Sequence, residues 1–284
     1  MGANGPVFIT KAIEAAPFPS APNVVISYPH REDWWHRYPA LHREGGRNRT
    51  VHEFEWLYQD SKRSYQESVL KRLRKIQHWA TGRAVLAELR VRPSYSVCIF
   101  PWDFLPSIDR EDRDALGLAE TPRIPRTRTE RARGIKPLGT KFQVRGVCFA
   151  SFDQPGSVDV FYTDYRCEES DADGVLVHEL VHASRVISGK DHDFPSKMRG
   201  GYPNSEEFYA NTIEMIYRSE TGLNVTDYKY HPIDQASVLR QPMARALLTA
   251  LRHEQPSLFL ALARVDAPFN PIKPIAEQLL TIDL

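Results

Sequence analysis

The chain has 284 residues, 42% of them hydrophobic and 26% charged, with a formal net charge of +1. Such a composition describes a soluble globular protein with a sizeable core, and the near-neutral charge excludes any global bias toward nucleic acid, an anionic membrane or acidic substrates. Its three cysteines, Cys98, Cys148 and Cys167, lack metal-ligand spacing, which argues against a disulfide framework and for a reducing compartment.

The amino terminus has no basic start followed by a long apolar run, and no stretch approaches the roughly 20 apolar residues of a membrane span. No signal-peptide address is therefore expected, and export would need machinery that cleaves none. Residues 1–60, rich in Pro, Arg, His and Trp without clear periodicity, read as a poorly ordered extension with a short strand near Val24–Tyr28. Such a segment serves either delivery or as a strap packing Trp34 and Trp35 on the core. From Ser64, Tyr65, Val69, Leu73, Ile76 and Trp79 share one helical face, with Thr81-Gly82 as the stop. The compact domain is accordingly expected over residues 61–284. After a short apolar segment, Ala84–Leu89, comes a strand candidate, Tyr95–Phe100, with Cys98 and Cys148 read as small buried hydrophobes in strands.

Residues 103–140 form a charged, Pro-rich insertion in which Arg123, Arg126, Arg128, Arg131, Arg133 and Lys136 cluster with only Glu130 among them to oppose them. A surface loop is the plainer reading and phosphate or nucleic-acid binding the sharper one, weakened by the lack of interleaved aromatics. Two strand-like runs, Phe142–Phe152 and Ser157–Asp164, flank the turn Asp153-Gln154-Pro155-Gly156 and predict a hairpin. An edge strand there would either hold an extended peptide by strand addition or simply cover the core.

The most informative stretch follows, His178-Glu179-Leu180-Val181-His182. Residues four apart share a helix face, so both imidazoles can reach one metal ion, while Glu179 beside it takes a proton from water. Asp171 and Asp173 at the start, an apolar run between, and Gly189 as the stop predict a buried helix. Polar groups inside such a helix need a partner, and a metal supplies one. The third and sixth positions beyond His182 are Arg185 and Ser188 rather than Gly and His, which excludes the metzincin pattern.

A second helix, capped by Asn204 or Ser205 and stopped by Gly222, carries Glu207, Asn211 and Glu214 on one stripe. Glu207 as third ligand, with Asn211 holding a motif histidine, looks like the thermolysin-type pairing of a ligand Glu with a polar residue four positions on. Alternatively Glu207 only closes a capping box with Asn204. Glu206 is the next ligand candidate, followed by Asp191, His192 and Asp193. Tyr230 and His231, in the segment Asp227–His231, are the candidates for steadying an oxyanion. Helices are expected around Gln235–Glu254 and Pro256–Val265.

His178-Glu-Leu-Val-His182-Ala183, Glu206-Glu207-Phe-Tyr-Ala-Asn211 and Ile216-Tyr217-Arg-Ser-Glu220-Thr-Gly222, with the Ala267–Pro271 tail, resemble bacterial effector and polymorphic-toxin zinc metallopeptidases of the type III effector class. Clostridial neurotoxin light chains are similar at a greater distance. The likeness spans Thr81 to Asn270 and leaves out the first 60 residues. It implies Zn²⁺ held by His178, His182 and Glu207, Glu179 as base, and a virulence toxin secreted into a target cell to cut one protein there. A secretion adaptor or immunity protein is the implied further partner. No downstream Arg-x-x-Tyr of the neurotoxin kind is found.

The expectation is thus an α+β zincin-like domain, a small mixed sheet packed on the HExxH helix and a second Glu-bearing helix, acting as a zinc endopeptidase. Its rivals are a metal-stabilised interaction protein without turnover and a phosphate- or nucleic-acid-binding module built on the basic loop.

Overall fold

A computed structural model describes residues 14–32, 34, 43–44, 47–48, 50–101, 146–150, 156–162, 172–190, 204–225 and 234–282. Among them, five strands form one mixed sheet in the order β1-β2-β5-β7-β6: β1 (Glu14–Phe18), β2 (Ala21–Tyr28), β5 (Ser96–Pro101), β6 (Gly146–Ala150) and β7 (Ser157–Tyr162). The outer pairs β1/β2 and β6/β7 are antiparallel, while β2, β5 and β7 run parallel. A two-residue pair, β3 (Arg43–Glu44) with β4 (Arg47–Asn48), stands apart from this sheet. The fold is α+β, as expected.

Val24 and Ile26 of β2 point into the core while Val25 between them is less buried. Sequence reading put an extension at residues 1–60 and the domain boundary at 61, and both are corrected here. Residues 14–28 supply two strands of the sheet, and helix α1 (Val51–His78) begins at a capping box formed by Thr50 and Glu53. The short strand expected near Val24–Tyr28 is the second half of β2, whereas β1 was missed because its run Glu14–Phe18 holds no β-branched residue. Trp34 is buried edge-on against Phe54 and Tyr58, which matches the strap reading; Trp35 lies outside the described residues.

Thr81-Gly82 does not stop a helix but lies in the first turn of the next one, α2 (Ala80–Leu89), which absorbs the expected apolar segment Ala84–Leu89. Trp79, extended at ψ 150°, is the actual break. Glycine is required at 82 because a Cβ there would sit 2.0 Å from the Ile76 carbonyl oxygen, so only a bare backbone lets α2 lie against the last turn of α1. The first amides of α2 have a remote cap, with Ala80 and Thr81 donating to the Glu220 carboxylate at 2.7 and 2.9 Å.

Helix α3 (Ala172–Ser188) packs between the sheet strands β6 and β7 and helix α4 (Ser205–Glu220). Leu176, Val177, Leu180, Val181, Ala183 and Ile187 of α3 are buried, so it is an interior helix as predicted. Buried Asp173 in its first turn pairs with Arg72 at 3.2 Å and with Lys75, both from α1. The expected helix over Gln235–Glu254 is two, α5 (Gln235–Leu239) and α6 (Pro242–Glu254), because Pro242 has no amide to continue the first and starts the second at its N1 position. The carboxy-terminal helices α7 (Pro256–Ala263) and α8 (Ile272–Ile282) close the core.

Candidate metal centre

Helix α3 brings His178 and His182 to the face that meets α4, where Glu207 stands in the first turn. His182 Nε2 lies 3.1 Å from His178 Nε2, and the two carboxylate oxygens of Glu207 lie 3.4 Å from His178 Nε2 and 3.5 Å from His182 Nε2. Ligand atoms about 2.0–2.1 Å from an ion at tetrahedral angles stand about 3.3–3.4 Å apart. The observed separations fall around that edge, and the His178, His182 and Glu207 group could hold a metal ion.

The amide of Glu207 donates to Asn204 Oδ1 at 2.8 Å, so Asn204 caps α4 as expected. The Glu207 side chain is not spent on that cap, because it faces both imidazoles. Glu206, the alternative ligand, points elsewhere and is bound by Arg185 of α3. For His178 the residue that holds Nδ1 is Glu214, at 3.1 Å, and Arg218 Nε in turn donates to Glu214 at 2.8 Å. Sequence reading put Glu214 on the right stripe without giving it a task; Asn211, the residue it named to hold a motif histidine, is buried on the same helix. The available signal was that Glu207, Glu214 and Arg218 recur at seven and four residues, one helical face.

Electrostatics supports a cation here. Burial disfavours a charged His178, yet its bonds to Glu207 and Glu214 overcome this and hold its pKa well above the usual value. Glu207 is raised by burial but pulled well below the carboxylate range by the two histidines. Glu214, against the same burial, is brought to about 2 by His178 and Arg218. The carboxylates thus stay ionised and favour positive charge between them, which either a protonated His178 or a divalent ion bound by neutral imidazoles supplies. Glu179 is buried beside this group, and desolvation, ahead of the opposing pull of His178 and His182, pushes its carboxyl up to about 7.

The site is not sealed, since the side chains of His178, His182 and Glu207 keep 15%, 16% and 26% of their exposure. Three protein ligands with solvent access leave a coordination position for water or a substrate. Tyr230 and His231, the oxyanion candidates, lie outside the described residues, as do Asp171, Asp191, His192, Asp193, Cys167 and the basic insertion 103–140. Cys98 and Cys148 are half-buried, and burial pushes the Cys98 thiol up, against a reactive role. Among the described residues no helix is long and apolar enough to cross a membrane.

Compared with protein-family models, with curated proteins and with solved structures, the chain finds no match in any of the three.

Proposed function

We propose that the protein is a zinc-dependent endopeptidase whose site is His178, His182 and Glu207 with Glu179 as general base. The observation that carries this reading is the 3.1–3.5 Å spacing of the His178, His182 and Glu207 N/O donors with an ionisable Glu179 buried beside them. A mixed nitrogen and oxygen set at tetrahedral spacing favours zinc among common divalent ions. Zinc in such a site supplies a Lewis acid and lowers the pKa of water from 15.7 to about 7.

The chain's own residues do the rest. Glu179 accepts the proton of the attacking water and returns it to the leaving amine, a task suited to a carboxyl whose affinity for protons is raised by its dry surroundings. Glu214, anchored by Arg218, fixes the ring plane and tautomer of His178 through Nδ1. Among the described residues strand β6 is at the edge of the sheet and packs on α3, where an extended peptide can add as a further strand. The zincin-like architecture, and the role of a secreted toxin or effector acting on one intracellular protein, belong to the same proposal and rest on the motif resemblance.

Elemental mass spectrometry of the purified protein tests the site directly. Near-stoichiometric zinc in the wild type, lost in both His182→Ala and Glu207→Ala, is the expected result. A wild type that takes up no zinc when it is supplied would leave a metal-free interaction protein as the better reading.

A further inference from the structure

Arg185 sits at the position that ruled out the metzincin pattern, and the proposed chemistry leaves it without a task. It is 1% exposed, one turn beyond His182 on α3. Its Nε and Nη2 form a two-pronged pair with Glu206, the residue next to Glu207 in the first turn of α4; the Nη2 contact is 3.0 Å and the Nε contact is shorter. Nη1 donates to Gln255 Oε1 at 3.2 Å, and Nη2 also lies 2.8 Å from the Lys190 carbonyl and 2.8 Å from Glu254. The guanidinium also lies 4.1 Å from the centre of the Tyr209 ring, again on α4.

Contacts between apolar helix faces are non-directional, whereas a guanidinium–carboxylate fork fixes both distance and angle. A metal site tolerates ligand displacements of only about 0.2 Å. The fork stands one turn from the place where His182 and Glu207 meet, and it joins the same two helices.

Resting on the metal reading of the site, we propose that Arg185 and Glu206 are positioning residues: their buried fork sets the register of the two ligand-bearing helices and thereby the metal affinity, without either touching the ion. Glu254 makes the matched control. It binds the same guanidinium but lies on α6, outside the two ligand helices.

Co²⁺ titration of the apoprotein, followed by its visible ligand-field absorption and by competition with a chromogenic chelator, reads both geometry and affinity. Glu206→Gln should weaken binding about tenfold to a hundredfold, the range typical of residues that support metal ligands, and should alter the absorption band. Glu254→Gln should lower the melting temperature and leave affinity and spectrum as in the wild type. Should Glu206→Gln not fold, the apolar pair Arg185→Met/Glu206→Leu removes the buried charges together and should likewise fold with weakened, spectrally altered binding. Wild-type affinity and spectrum in a folded Glu206 variant, or equal losses in the Glu254 and Glu206 variants, would overturn the proposal. Absence of Co²⁺ binding in the wild type, with His182→Ala indistinguishable from it, would instead overturn the metal reading on which it stands.

Discussion

Glu179 and Glu207 are chemically alike, and their surroundings separate them. Desolvation is the largest single influence on both, but at Glu207 the bonds to two imidazoles outweigh it and hold the group ionised, while at Glu179 it prevails and the carboxyl keeps its proton more tightly. Glu179→Gln preserves shape but cannot accept a proton, so hydrolysis of a peptide library, read by mass spectrometry, should fall about 10²–10⁴-fold with zinc content unchanged. Loss of zinc in that variant would make Glu179 a ligand instead. A second buried carboxyl, Glu88 of α2, is pushed up by burial more than the Gln255 amide, 3.4 Å away, lowers it. With the folded pKa above the unfolded value of 4.5, its contribution to stability is fully present below pH 4.5 and is lost as pH rises through the folded value. Glu88→Gln should therefore raise the melting temperature at pH 7, by about 2 °C for each kcal/mol recovered, and the gain should vanish near pH 4. A gain that persists at pH 4 would point to packing rather than ionisation.

At the scale of elements, the junction between α1 and α2 controls how the helical layer seats on the sheet. Trp79 breaks the helix, Glu220 at the end of α4 caps α2 from a distance, and Gly82 allows the close approach. A methyl group at 82 meets backbone, which cannot rotate away, so Gly82→Ala should cost about 3 kcal/mol or more, seen as a lowered denaturant midpoint. A cost below about 1 kcal/mol would mean that α2 can shift without loss. Because Glu220 belongs to α4, the helix that carries Glu207, the same junction also ties that helix to the rest of the core.

For the whole molecule, the sheet is assembled from segments far apart in sequence, with β2 pairing β5 in parallel through Val24–Val97, Val25–Cys98 and Ile26–Ile99. A chain beginning at Val51 would lose β1 and β2 and leave the inner strand β5 as an exposed edge. It should aggregate or lack a cooperative thermal transition by circular dichroism, whereas a dispensable extension would leave the melting curve unchanged. Without a firm sheet under it, α3 would lose one of the surfaces that hold His178 and His182 in place.

His178, Glu179 and His182 were legible from the sequence because a motif confined to one helical turn needs only the 3.6-residue period to bring its side chains together. Glu207 was legible as a candidate from its stripe on a second helix, and Asn204 as a cap from local chain chemistry. Four features were decided only in three dimensions: the assignment of Glu206 to Arg185, the hold of Glu214 on His178, the remote cap from Glu220, and the membership of residues 14–28 in the sheet. Each depends on which surfaces of distant elements meet, and local periodicity carries no record of that. Helix faces and caps follow from interactions a few residues long, while the partner of a buried charge is set by the packing of the whole core.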